Sequence, residues 1–297
     1  MMTRGTQNTL AIERSRLVDY WILTKPELTF LSVVTALTGY YLGAEGSIQA
    51  SLLLHTLFGT ALVGGGAGAL NQYIEREYDG LMRRTENRPV PSGRVQPYEA
   101  LLFGIILSIV GIAELVLFTN PLTGFLASVT LVSYIFLYTP LKRITPLSTI
   151  VGAFPGALPP VMGWTAARNE VNPEAVALFA LLFVWQIPHF LSLAWMYRKD
   201  YARAGYRLLT VVEPEGNMAS RQILAYTTLL VPLAVIPWTL GMFGALYLIL
   251  ALLLSLAFLV VTVHLVRDRS NAAARQVFAG SLIYLPALMA IMVIDRL

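Results

Sequence analysis

Nine apolar runs, each close to the length needed to cross a bilayer, punctuate this chain, and they constrain its fold more than any motif does. They lie at about 28–44, 51–73, 98–118, 122–138, 147–165, 175–195, 222–242, 244–265 and 276–294. A hydrocarbon core about 30 Å thick takes roughly 20 apolar residues of helix to span. Lipid offers no water to an open backbone, so such runs are expected to fold as helices. The expected fold class is all-α: a polytopic membrane bundle of nine transmembrane helices. Composition agrees, with 56% hydrophobic and 13% charged residues among 297, against about 25% charged in soluble proteins. That balance excludes a water-soluble enzyme, a disordered chain and a basic nucleic-acid-binding domain. With no cysteine present, disulfides, thiolate metal sites and cysteine nucleophiles are excluded too. The N-terminus is polar and charged rather than a short apolar core before a small-residue cleavage site, so no cleaved signal peptide is expected.

Threading the chain through nine crossings puts 19 of the 21 Lys and Arg residues on the N-terminal side, leaving only Arg168 and Arg296 opposite. Basic residues mark the cytoplasmic side, so the N-terminus is expected there, with a cytoplasmic arm over 1–27 and one transmembrane domain over 28–297. The same side carries 12 of the 17 acids. Orientation does not require them, because Asp and Glu contribute little to it. They crowd into the two longest loops, about 75–97 and 197–221, and long connections are usually functional or mobile. The active face is therefore expected on the cytoplasmic side.

The second run ends in a small-residue stretch, Gly64 to Ala69, and then Asn71, Glu75 and Asp79. At i, i+4 and i+8 on a helix these three drift by about 80° and share one face over about 12 Å. An amide and two carboxylates so placed suit Mg²⁺, which takes oxygen ligands and commonly bridges carboxylates to substrate phosphates; the same spacing also suits a solvated helix end. Gly80 reads as the helix stop. Beyond it, Arg83, Arg84, Arg88 and Arg94 could clamp a diphosphate, since guanidinium forks match phosphate geometry, or could simply mark the cytoplasmic side. Two further polar clusters reach the same face, Tyr138 with Lys142 and Arg143, and Arg198 with Lys199 and Asp200. Pro155, Pro159 and Pro160 are expected to interrupt the fifth run, as backbone lining a cavity or as a kink. His55 and His264 read as structural or interfacial. His189 lies about two turns inside the sixth run, where an ionisable group is a functional candidate by default.

The motif Asn71-Gln72, Glu75, Asp79, Met82, Arg84-Thr85, Asn87-Arg88-Pro89, Pro91 and Gly93 resembles the intramembrane prenyltransferases. Lys25-Pro26, Tyr138-Thr139-Pro140-Leu141-Lys142-Arg143, Pro155-Gly156-Ala157-Leu158-Pro159-Pro160 with Gly163-Trp164, and Trp185-Gln186 with Pro188-His189-Phe190 narrow the resemblance to the branch that farnesylates heme. It implies a nine-helix, multi-pass enzyme of the inner (plasma) membrane. Such an enzyme moves a farnesyl group from farnesyl diphosphate to the 2-vinyl group of heme B, giving heme O, with Mg²⁺. It also implies partnership with the heme-copper oxidase assembly route. Carried onto this chain, the metal and catalytic positions would be Asn71, Glu75, Asp79 and Asp200. Arg83, Arg84, Arg88, Lys142, Arg143, Arg198, Lys199 and Tyr138 would bind the diphosphate substrate, and His189 would contact heme. Two departures stand out: the second aspartate of a later Asp-x3-Asp pair is Ala204, which leaves a second metal site in doubt, and Leu208-Leu209-Thr210 replaces the usual Met-Leu-Pro.

A prenyl acceptor of another kind, such as a quinone-precursor ring, is the nearest rival. A secondary transporter is the rival from a different class, but it calls for acids and bases near the midplane, whereas here they gather at one face.

Overall fold

The computed structural model describes residues 16–297. Arg4, Arg14 and the rest of the first half of the N-terminal arm lie outside the described residues. Among those described, the protein is all-helical apart from one isolated bridge between Phe243 and Arg296. In chain order the helices are α1 (Arg16–Leu23), α2 (Pro26–Gly43), α3 (Ala50–Asp79), α4 (Pro97–Phe118) and α5 (Pro121–Val132). A π-helical turn (Ser133–Tyr138) leads from α5 into a short α6 (Thr139–Leu141), followed by α7 (Ser148–Arg168), α8 (Pro173–Met196), α9 (Arg198–Arg203) and α10 (Leu209–Val212). Then come α11 (Asn217–Leu233), α12 (Ile236–Thr239), α13 (Ala245–Asp268) and α14 (Asn271–Ile294).

The helix starts are written in the sequence. Proline opens α2, α4, α5 and α8, where its missing N–H is one the helix leaves unpaired anyway. The side chains of Asn120, Asn172 and Ser270 accept from the N–H groups of Thr123, Ala175 and Ala273, which caps α5, α8 and α14.

Seven helical stretches are long and apolar enough to cross a membrane: α3, α4, α5 through α6, α8, α11 through α12, α13 and α14. Together they make this a multi-pass membrane protein. Their outward faces carry large apolar side chains such as Phe58, Ile109, Phe125, Leu253, Val260 and Ile283, the surface that lipid rather than water accepts. The α2 and α7 helices fall outside this set for a physical reason. Most of α7 is buried, and a helix walled by other helices needs small residues more than a greasy exterior. Gly39 of α2 and Gly163 of α7 bring the two backbones into contact. A Cβ on Gly39 would come within 1.9 Å of the Pro160 carbonyl oxygen, and one on Gly163 within 1.9 Å of that of Ala36.

Two local expectations are corrected. The α7 helix runs unbroken through Pro155, Pro159 and Pro160; the ring angle of proline fits a helix, and close packing by α2 and α8 holds the shape against the missing hydrogen bonds. The irregular backbone lies instead in the π-helical turn, which contains neither Pro nor Gly. Gly80 does end α3, but with φ −64°, so the stop is not the left-handed cap its glycine suggested.

Candidate active site

Asn71, Glu75 and Asp79 stand on the last third of α3 and are 0%, 5% and 1% exposed, so this is not a solvated helix end. Each meets a cation delivered by a different segment. Lys25, in the turn before α2, donates to Asn71 Oδ1. Lys142, just past α6, places Nζ 2.7 Å from Glu75 Oε1. Arg88, in the loop after α3, places a guanidinium nitrogen 2.7 Å from Asp79 Oδ2. The Asn71 amide donates in turn to Thr139 Oγ at 3.1 Å, and Thr139 donates to the Tyr134 carbonyl within the π-helical turn at 2.8 Å. That turn therefore sets the register that brings both Thr139 and Lys142 onto α3.

The two lysines respond oppositely to similar enclosure. Burial, followed by the like charge of Arg88, draws the Lys25 ammonium down to about 7, because its direct partner is a neutral amide. Burial also opposes charge on Lys142, but Glu75 and the neighbouring tyrosines outweigh it and hold that ammonium well above its usual range. Lys25 adopts φ 48°, the left-handed region that costs a non-glycine residue energy and tends to persist where surrounding contacts fix it.

Aromatic rings surround the cations. Lys142 Nζ lies 4.5 Å from the Tyr138 ring centre, Arg143 stacks 4.1 Å over Tyr78, and Arg84 lies 5.2 Å from Tyr197 while donating to the Tyr201 hydroxyl at 3.2 Å. Such distances give favourable cation–π contacts. Tyr206, missed by the sequence reading, is buried beside this group; burial first, then the charge of Glu75, raises its hydroxyl far above the usual tyrosine range.

Not every expected residue joins the cluster. Asp200 pairs with Arg203 of its own helix at 3.5 Å. Arg198 donates to Asn271 at 2.8 Å, and Arg83 and Lys199 are exposed. Ala204 is buried in an apolar cluster with Met82, Tyr206 and Leu208, a setting that would penalise a carboxylate. Arg94 reaches back to α1, bonding Asp19 at 2.9 Å.

Among the described residues no three His, Cys, Asp or Glu side chains group closely enough to cage a metal. The donor set nevertheless suits Mg²⁺, which does not need an all-protein cage. Asp79 Oδ1 is buried without a hydrogen-bond partner, an acceptor left open beside two other hard oxygen groups.

Next to this cluster opens a cavity of about 230 Å³. Lys25, Tyr134 and Tyr138 line it, as do Gly64 and Gly68 of α3, Gly152, Pro155, Gly156 and Pro159 of α7, and Trp185, Gln186, His189 and Phe190 of α8. The glycines of α7 make room for its polar lining: a Cβ at Gly152 would come within 2.5 Å of the Tyr138 ring and one at Gly156 within 2.0 Å of the Gln186 amide oxygen. His189 thus shares one chamber with Lys25, the cation bonded to Asn71. His55, by contrast, bonds Glu114 at 2.7 Å and stacks on Phe118, a structural role, and His264 is exposed.

This is the architecture of an integral-membrane prenyltransferase. The structure overlays a solved digeranylgeranylglyceryl phosphate synthase with a TM-score of 0.80 at 19% identity, covering 94% of this chain and 98% of that one. It overlays a UbiA homolog from Archaeoglobus fulgidus bound to GPP and Mg²⁺ with a TM-score of 0.66 at 16% identity, covering 92% and 99%. The chain belongs to the UbiA prenyltransferase family, whose model matches residues 32–288. It is 47% identical over 287 residues to the protoheme IX farnesyltransferase of Solibacter usitatus (strain Ellin6076), covering 94% of this chain and 98% of that one. Against the protoheme IX farnesyltransferase of Koribacter versatilis (strain Ellin345) it is 45% identical over 292 residues, covering 95% and 94%.

Proposed function

We propose that this protein transfers the farnesyl group of farnesyl diphosphate to the 2-vinyl group of heme B, giving heme O. The observation that carries the reading is the single chamber lined both by Lys25, the cation bonded to Asn71 of α3, and by His189, in a chain so close to relatives named protoheme IX farnesyltransferase.

Asn71, Glu75 and Asp79, with Asp200 of α9, would hold Mg²⁺. Once bound, the metal would neutralise the diphosphate and stabilise the charge that develops on the leaving oxygen. Lys25, Arg88 and Lys142 already lie against the α3 groups, and they would turn toward the phosphate oxygens, with Arg83, Arg84, Arg143, Arg198 and Lys199 adding positive charge around the mouth. Fixed cations aimed at a departing anion lower the barrier because they need no reorganisation when the bond breaks. Departure of diphosphate leaves an allylic cation, which the faces of Tyr134 and Tyr138 are placed to stabilise in the cavity wall. The terminal vinyl carbon of heme forms the new bond to the farnesyl carbon. A water molecule then adds its oxygen to the remaining vinyl carbon and loses a proton, completing the hydroxyethylfarnesyl group. The apolar walls keep water from the allylic cation until that bond exists.

The reading places the cluster on the cytoplasmic face of the inner (plasma) membrane, with residues 28–297 as one catalytic domain and with delivery of product to the heme-copper oxidase assembly route. Purified protein incubated with farnesyl diphosphate, Mg²⁺ and heme B should yield a pigment heavier by one farnesyl group and one water. A pigment of unchanged mass alongside a prenylated aromatic ring acid, in a parallel incubation, would move the assignment to another acceptor.

A further inference from the structure

His189 stands on α8 in the cavity wall, and little of its ring is left uncommitted. Trp185, one turn earlier, stacks against it at 5.1 Å with planes 23° apart, and Phe278 of α14 stacks at 4.9 Å and 29°. Those rings cover imidazole faces, so any polar partner must come to the edges that carry nitrogen.

One of those edges is taken. Nδ1 lies 2.8 Å from Ser281 Oγ on α14. The same Oγ lies 2.6 Å from the Phe278 carbonyl oxygen, which has no proton and can only accept. A hydroxyl has one proton to give and lone pairs to receive with. With its proton on Phe278, Ser281 can only accept from His189, so Nδ1 carries the hydrogen. No carboxylate pairs with His189 among the described residues, and an uncompensated cation is disfavoured at that depth, so the ring is neutral and its lone pair sits on Nε2. Among the described residues Nε2 has no hydrogen-bond partner.

We infer that Ser281 is a positioning residue: it locks His189 in the Nδ1–H tautomer and presents Nε2 at the cavity as an axial ligand for heme iron. The inference rests on heme being the acceptor, and it decides between ligation and mere contact by His189. Ser281 is fully buried, and it holds both members of the stack: its carbonyl accepts from Trp185 Nε1 at 3.0 Å while its side chain orients the imidazole. Iron-bound histidines generally need such a partner on the second nitrogen, which fixes the ring and raises its basicity.

The test is heme titration of the purified full-length protein, read as an absorption spectrum and a Kd. Ser281→Ala removes the acceptor yet keeps the carbonyl that holds Trp185. It should weaken heme binding by about tenfold, in the range for lost partners of metal ligands, and shift the heme spectrum, while binding of a non-reactive farnesyl diphosphate analogue stays at the wild-type value. Ser281→Thr should restore the wild-type spectrum. Where Ser281→Ala does not fold, Ser281→Cys, of similar size and a poorer acceptor, should give the same shift. A wild-type spectrum and Kd in Ser281→Ala or Ser281→Cys, with both lost in His189→Ala, would overturn the role of Ser281 and leave ligation standing. A wild-type spectrum and Kd in His189→Ala would overturn the ligation itself.

Discussion

Lys142 and Glu75 form a buried ion pair, with side chains 13% and 7% exposed, and such a pair fails differently when one partner is lost than when both are. Losing one strands a charge, which costs about 3–5 kcal/mol, whereas replacing both with uncharged groups is often neutral. Lys142→Met should therefore lower the unfolding temperature in detergent sharply. The double variant Lys142→Met, Glu75→Gln should recover most of that loss and remain inactive. A double variant as unstable as the single one would show that the two do not act as a pair. Glu75→Gln and Asp79→Asn, each alone, should nearly abolish turnover in folded protein, and wild-type rates at limiting Mg²⁺ would remove them from the mechanism. Asp200 is a distinct case because its partner is Arg203. If it also serves the metal, Asp200→Asn raises the Mg²⁺ requirement while Arg203→Ala leaves it unchanged; equal Mg²⁺ dependence in both would reduce Asp200 to ordering α9. The spacing of Asn71, Glu75 and Asp79 was legible in the sequence because helix geometry is local. Their burial and their cationic partners were not, since Lys142 reaches Glu75 from 67 residues away. Lys25 carried a signal, a Lys-Pro step at the head of an apolar run, but nothing in its neighbourhood tied it to Asn71. Ser281 carried none: one serine in an apolar helix looks like any other until α8 lies beside it.

At the scale of the element, α2 and α7 show what sequence hides. Their apolar runs were readable, but the reason they need not be as greasy as the others lies in the Gly39 and Gly163 contacts between them, which are properties of the pair. Gly163→Ala should force the helices apart, since the added carbon meets backbone rather than a mobile side chain, and overpacking of this kind costs about 1–3 kcal/mol. Gly46→Asn, in the exposed turn before α3 where nothing lies within 4 Å, should leave the unfolding temperature within a degree or two of wild type, because Asn tolerates a positive φ. Equal losses in both variants would show that the α2–α7 contact carries no special weight. The prolines of α7 drew attention to the wrong helix. Proline is a local signal and is visible in the sequence, whereas the π turn at Ser133–Tyr138 packs on α7 and is tied to Asn71 through Thr139, contacts that composition cannot reveal.

Across the whole molecule, the charges separate to the two ends of the bundle, and the structure explains the two basic residues that broke the sorting. Arg168 pairs with Glu45 and donates to the Gly43 carbonyl; Arg296 donates to the carbonyls of Tyr41 and Ala44. Both thus serve the C-terminal end of α2, where unpaired carbonyls and the negative end of the helix dipole welcome a cation. Beside them Asp295 accepts from the Tyr247 backbone N–H at 2.7 Å and so caps the start of α13. With these two charges committed to helix ends, the other described arginines and lysines lie at the end that holds Asn71, Glu75 and Asp79, and the proposed cytoplasmic placement of that end rests on the positive-inside rule. The absence of cysteine makes the orientation directly measurable. Glu86, in the loop after α3, and Glu170, between α7 and α8, are both exposed and lie at opposite ends. In spheroplasts treated with a membrane-impermeant maleimide, Glu170→Cys should label at once and Glu86→Cys only after permeabilisation. The reverse pattern would invert the bundle and put diphosphate chemistry on the far side of the membrane, and labelling of both before permeabilisation would mean that the two loops are not on opposite faces at all.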